Sequence, residues 1–235
     1  MPTAAAPVRE AANRKGGRRR FGTVARLKIG VWLLCLTPFG LLVRRGFTGG
    51  LGANPVEFIT LETGFWTLTL LLVTLAITPA RRITGWNQLV QFRRLIGLFA
   101  FFYATLHFLT YITFDHFFDL GGITEDIVKR PYITVGFTAF LLLIPLAVTS
   151  TKGWIRRLGR RWLLLHRLIY VSAVLAVLHF YWKKSTKADV REPLVFAGIL
   201  AVLLLIRLVW QRYAAGRGRR STRPAARRPA ATLRT

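Results

Sequence analysis

The stretch "RRLIGLFAFFYATLHFLTY" (residues 93–111) decides the fold. Two arginines open it, and from Leu95 to Phe114 twenty residues pass without an Asp, Glu, Lys or Arg. Wound as a helix they reach about 30 Å, the thickness of a bilayer's hydrocarbon core. Five comparable apolar runs accompany this one. The expected spans are 28–43, 57–78 (ended by Pro79), 89–114, 132–149, 163–182 and 194–210. Lipid satisfies no backbone polar group, so runs of this kind cross as helices. They lack the alternation of a transmembrane β-barrel. The expected fold is an all-α polytopic membrane helix bundle with six transmembrane helices.

Charge gathers between these runs and toward their ends. The chain of 235 residues is 53% hydrophobic and carries a formal charge of +26. A basic, uniformly polar chain would point to nucleic acid, but blocks of charge between spanning runs point to a membrane, with no nucleic-acid role. With the N-terminus inside, the inner segments hold 27 of the 35 Lys and Arg, and eight of the nine acids fall outside. The positive-inside rule places both termini in the cytoplasm. Residues 1–27 and 211–235 are expected as basic, disordered tails resting on anionic lipid headgroups. Residues 28–210 are the transmembrane domain. The single cysteine, Cys35, excludes an intrachain disulfide and a cysteine-based iron–sulfur site.

The histidines carry the chemistry. "ATLHF" (residues 104–108) and "AVLHF" (residues 176–180) repeat one pattern. Imidazole within the hydrocarbon is costly without a partner and marks a functional site by default. Helices three and five run parallel, so His107 and His179 lie at similar depth near their outer ends. Ala104 and Ala176, one turn earlier, leave room for a flat group between them. Haem between two axial imidazoles fits this arrangement and suits electron transfer. Zinc lacks a third protein ligand at that depth. The competing reading is two buried histidines with ordinary hydrogen bonds. His116, in "FDHFF", reads as an interfacial residue.

An inner pair lies closer to the cytoplasm. His166 precedes His179 by 13 residues and Arg93 precedes His107 by 14, each about 20 Å inward. Arginine has no lone pair for iron but pairs well with a haem propionate. The expectation is one well-ligated haem b, or two with an inner haem at His166 and Arg93. Thirteen residues leave His166 roughly 140° from the face of His179, unless helix five bends.

Several stretches carry a family resemblance: "GLGANPVEFITLETGFW" (50–66), "TPARR" (78–82), "RRLIGLFAFFYATLHFLTY" (93–111), "DIVKRPYITVG" (126–136), "TSTKGWIRRLGRRWLLLHRLIY" (149–170) and "HFYW" (179–182). They resemble the haem-binding membrane subunits of periplasmic methionine sulfoxide reductase systems, within the ferric-reductase-like transmembrane family. The resemblance implies a multi-pass protein of the bacterial inner membrane. It implies electron transfer through b-type haem to a periplasmic molybdopterin methionine sulfoxide reductase that repairs oxidised proteins. It also implies FMN, and a quinone or cytosolic flavin reductase as donor. Related ferric reductases carry two haem histidines on each of helices three and five; here Arg93 stands where one would fall.

The chain has no Gly-rich nucleotide fingerprint. That disfavours the alternative, a self-contained membrane ferric or quinone reductase. A nonredox scaffold is disfavoured by the paired histidine segments. Outer loops 51–62, 115–130 and 183–192 carry all the outer acids and are the expected surface for the soluble partner.

Overall fold

The computed structural model describes residues 6–185 and 189–221; the side chains of residues 6–21, 23 and 214–221 fall outside that description. Nine α-helices occur among the described residues and no strand. They are α1 (Ala6–Phe47), α2 (Pro55–Thr84), α3 (Val90–Thr110), α4 (Leu120–Lys129), α5 (Pro131–Val148), α6 (Lys152–Leu158), α7 (Arg160–Leu165), α8 (Leu168–Ser185) and α9 (Arg191–Ser221). Among the described residues, six segments are long and apolar enough to cross a membrane: Val24–Phe47, Pro55–Thr84, Asn87–Asp115, Pro131–Val148, Arg160–Ser185 and Arg191–Tyr213. The protein is a multi-pass membrane bundle.

Three details depart from the sequence reading. Pro79 does not end the second span. The helix runs through it to Thr84 and stops where Gly85 takes a left-handed φ of 68°. Proline inside a membrane helix is tolerated because neighbours re-satisfy the freed carbonyl. The connection between α3 and α5 holds α4, a short helix capped by Asp119, whose carboxylate accepts from the Gly121 N–H at 2.9 Å. Neither tail boundary is marked by a break, since α1 begins at Ala6 and α9 runs to Ser221. Residues 1–5 and 222–235, where disorder was expected, lie outside the described residues.

Polar latches tie the apolar helices together. In α1, Pro38 removes the backbone donor to Leu34, and Tyr103 of α3 reaches the adjacent rung of the helix, between Cys35 and Phe39. Its hydroxyl donates to the Cys35 carbonyl at 2.8 Å and accepts from the Phe39 N–H at 3.0 Å. Tyr103 is among the most buried side chains. Between α8 and α5, the buried Ser172 hydroxyl donates to the Ala139 carbonyl at 3.0 Å. The outer face is apolar: Leu34 is 71% exposed and Val195 61%, an arrangement that only lipid makes favourable.

Packing is pairwise. α2 lies along α3, α5 lies along α8, and α3 and α8 scarcely touch through their backbones. That leaves a gap between the two helices that carry the "LHF" segments.

Candidate functional site

His107 of α3 and His179 of α8 meet across this gap. Their ring centroids are 6.1 Å apart and their planes are nearly perpendicular, at 81°. His107 Nδ1 lies 2.9 Å from the Thr60 carbonyl, and His179 Nδ1 lies 2.7 Å from the Tyr132 carbonyl. A carbonyl only accepts, so each Nδ1 carries the proton and each Nε2 keeps its lone pair. Among the described residues neither Nε2 has a hydrogen-bond partner. A backbone carbonyl holding one nitrogen and an open lone pair on the other is the arrangement of metal-ligating histidines.

Glycines make those carbonyls reachable. A Cβ at Gly64 of α2 would fall 3.1 Å from His107 Cε1, and one at Gly136 of α5 would fall 2.5 Å from His179 Nδ1. Each glycine sits one turn after the accepting residue. The motif is built twice. Thr60, Gly64, Ala104 and His107 recur as Tyr132, Gly136, Ala176 and His179, at one constant offset (72 residues, from His107 to His179). Each α2–α3 or α5–α8 pair is one copy, with donor and acceptor 47 residues apart in both.

The pair fits a haem. Two imidazoles whose ring centroids stand 6.1 Å apart could both hold one metal through a ring nitrogen. Two imidazoles alone do not hold a free ion, and no cluster of three His, Cys, Asp or Glu occurs among the described residues. A porphyrin brings its own four nitrogens and needs only these two. Thr60 also leaves its hydroxyl buried and unpartnered at this site.

The inner residues are arranged differently. Helix five is interrupted here: α7 ends at Leu165, and His166 sits in the break before α8 begins. Its Nε2 lies 3.2 Å from the Thr149 hydroxyl, which gives its own proton to the Pro145 carbonyl at 2.6 Å. Nε2 is therefore the donor and is committed. Trp162 covers the ring at a centroid distance of 4.0 Å. Arg93 is half-buried on α3, within electrostatic reach of His166. As built, this site does not offer the nitrogen that the outer pair offers.

His116 is not a free interfacial residue. Its Nε2 meets Asp126 Oδ2 of α4 at 3.0 Å, and Arg130 holds the other carboxylate oxygen at 3.2 Å. Phe117 and Phe118 follow with φ of 46° and 63°, left-handed values rare for bulky residues.

Both histidines, which the structure brings together, stand out in the sequence; Thr60, Gly64, Tyr132 and Gly136 do not. The constant offset that links the two "LHF" segments, extended backwards, pairs Gly64 with Gly136 but sets Thr60 against the unlike Tyr132.

Six membrane-spanning helices around a facing histidine pair define a ferric-reductase-like transmembrane protein. Residues 63–177 match the family model described as "Ferric reductase like transmembrane component". The chain is 56% identical over 185 residues to the "Protein-methionine-sulfoxide reductase heme-binding subunit MsrQ" of Herminiimonas arsenicoxydans, covering 78% of this chain and 85% of that protein. It is 56% identical over 183 residues to the protein so named in Rhodospirillum rubrum, covering 77% and 87%. For that of Xanthomonas euvesicatoria the identity is 53% over 199 residues, covering 81% and 90%. The chain belongs to the MsrQ family.

Proposed function

We propose that the chain is the haem-binding membrane subunit of a protein-methionine-sulfoxide reductase system and holds b-type haem between His107 and His179. The observation that carries this reading is the matched pair of Nδ1 hydrogen bonds, which leaves the Nε2 lone pair open on each of two imidazoles whose ring centroids are 6.1 Å apart. When bound, haem supplies one-electron iron chemistry, and bis-imidazole ligation suits it to electron transfer. The Thr60 and Tyr132 carbonyls fix each ring's tautomer and orientation. The buried Ala104 keeps the gap apolar and narrow.

In this reading the protein lies in the bacterial inner membrane with both termini cytoplasmic, as its Lys and Arg distribution supports. Electrons come from the quinone pool or a cytosolic flavin reductase and leave at the outer side to a periplasmic molybdopterin reductase. FMN, the donor and the molybdopterin partner rest on family resemblance alone. One haem belongs to the outer pair; a second, at His166 and Arg93, would require the Thr149 bond to open.

The test is the visible spectrum of the purified protein, followed by electron delivery. Reduced b-type bands, lost in His107→Ala and His179→Ala, support the haem site. Reoxidation by the soluble reductase, and not by ferric chelates or quinone alone, supports the relay over a self-contained reductase. A colourless protein from haem-replete cells would overturn both.

A further inference from the structure

The inner end of the bundle holds a pocket of about 110 Å³ between α2, α8 and α9, apart from the histidine gap. Arg82, near the end of α2, and Arg207, near the inner end of the α9 span, both line it. Each guanidinium rests against an aromatic ring: Arg82 lies 5.0 Å from the Trp210 centroid and Arg207 lies 4.3 Å from that of Tyr170. Among the described residues neither has a carboxylate partner; the ion pairs gather in the outer loops. A ring contact places the cation but gives its N–H groups no oxygen acceptor.

The chemistry of the occupant follows. The two rings are already covered by cations, so the pocket offers charge and donors rather than a face for stacking. Its volume is well below the roughly 300–1,000 Å³ of sites that enclose a drug-sized ligand. It suits a small oxyanion whose remainder stays outside. Leu75 and Leu203 line the apolar wall, and the neighbouring Leu205 and Leu208 are exposed on the lipid-facing surface. Guanidinium pairs prefer phosphate through parallel hydrogen bonds, and basic pockets between membrane helices take lipid headgroups.

We propose that Arg82 and Arg207 hold the phosphate of an anionic headgroup in this pocket, with the acyl chains lying along the bundle. The phosphate has two sources, a phospholipid of the adjacent leaflet or a soluble phosphate ester, and the experiment separates them.

The full-length protein is purified in mild detergent, and co-purifying lipid is measured by mass spectrometry. Thermal unfolding is then followed with added phosphatidylglycerol, phosphatidylcholine or inorganic phosphate. Wild type should retain anionic phospholipid, and phosphatidylglycerol should raise its unfolding temperature where phosphatidylcholine does not. Retention should fall several-fold in the Arg82→Gln/Arg207→Gln protein, and partly in the double lysine variant, which keeps charge but loses the bidentate fork. Arg156→Gln, in the basic inner loop, should change nothing. Stabilisation by inorganic phosphate without retained lipid would assign the site to a soluble phosphate. Equal retention and shifts in wild type and the double glutamine variant would overturn the proposal, as would an equal loss in Arg156→Gln. The haem spectrum, read on the same samples, reports the histidine site separately.

Discussion

Gly136 and His179 are in direct register across α5 and α8: a methyl group on the glycine would stand 2.5 Å from the imidazole Nδ1. The same relationship joins Gly64 to His107, at a looser 3.1 Å. The difference ranks the two sites. Gly136→Ala must displace His179 or break its bond to the Tyr132 carbonyl, whereas Gly64→Ala needs a shift of a few tenths of an ångström. Overpacking of this kind costs about 1–3 kcal/mol, or about 5- to 150-fold in affinity. Haem retained per chain should fall steeply in Gly136→Ala and mildly in Gly64→Ala, with the remaining haem shifted in midpoint potential. Equal, full occupancy in both, at unchanged potential, would remove the glycines from the site.

The six spans were legible because each needs only a long uncharged run, and such a run has one solution in lipid. Helix ends were less so. Pro79 looked like a stop, yet the helix continues because the membrane rewards keeping its backbone bonded. His107 and His179 were legible as a pair because imidazole is rare in an apolar run. Gly64 and Gly136 were less so: each is the sole glycine of its helix and the 72-residue offset pairs them, but the neighbouring ring is what shows why a side chain is excluded there. The committed state of His166 depends on the Thr149 hydroxyl 17 residues earlier, a contact no periodicity reveals.

Tyr103 offers a test of the fold apart from the cofactor. Tyr103→Phe leaves the Cys35 carbonyl and the Phe39 N–H without their shared buried partner. An unsatisfied buried group costs about 1–3 kcal/mol. Unfolding in detergent, followed by circular dichroism, should move to lower temperature while haem per folded chain stays constant. An unchanged transition would show that α1 is not latched through this hydroxyl.

The inner residues should be separable from the outer pair. His166→Ala and Arg93→Ala should each leave the bis-imidazole haem in place, because His107 and His179 take their hydrogen bonds from α2 and α5 alone. Any second haem should disappear in His166→Ala. Quantitative haem analysis with electron paramagnetic resonance checks both; loss of the outer signal in either variant would tie the two sites together.

Docking of a soluble partner should depend on the exposed outer charges rather than on Asp126. That carboxylate is only 14% exposed and is spent on His116 and Arg130. Glu125 is far more open, although it pairs with Lys129. Reoxidation of the reduced protein by the periplasmic reductase should slow as salt rises and in Glu125→Gln. Asp126→Asn should instead loosen α4. A rate indifferent to salt and to Glu125→Gln would leave apolar contact, through residues such as the exposed Phe117, as the docking mode.

The proposed haem requires both imidazoles. The most direct measurement is the low-temperature electron paramagnetic resonance spectrum of the oxidised protein, beside its His107→Ala and His179→Ala variants at matched protein concentration. Wild type should show a low-spin bis-histidine ferric signal, and each single substitution should abolish it, since neither ring replaces the other across a 6.1 Å gap. An unchanged low-spin signal in either variant would contradict the account.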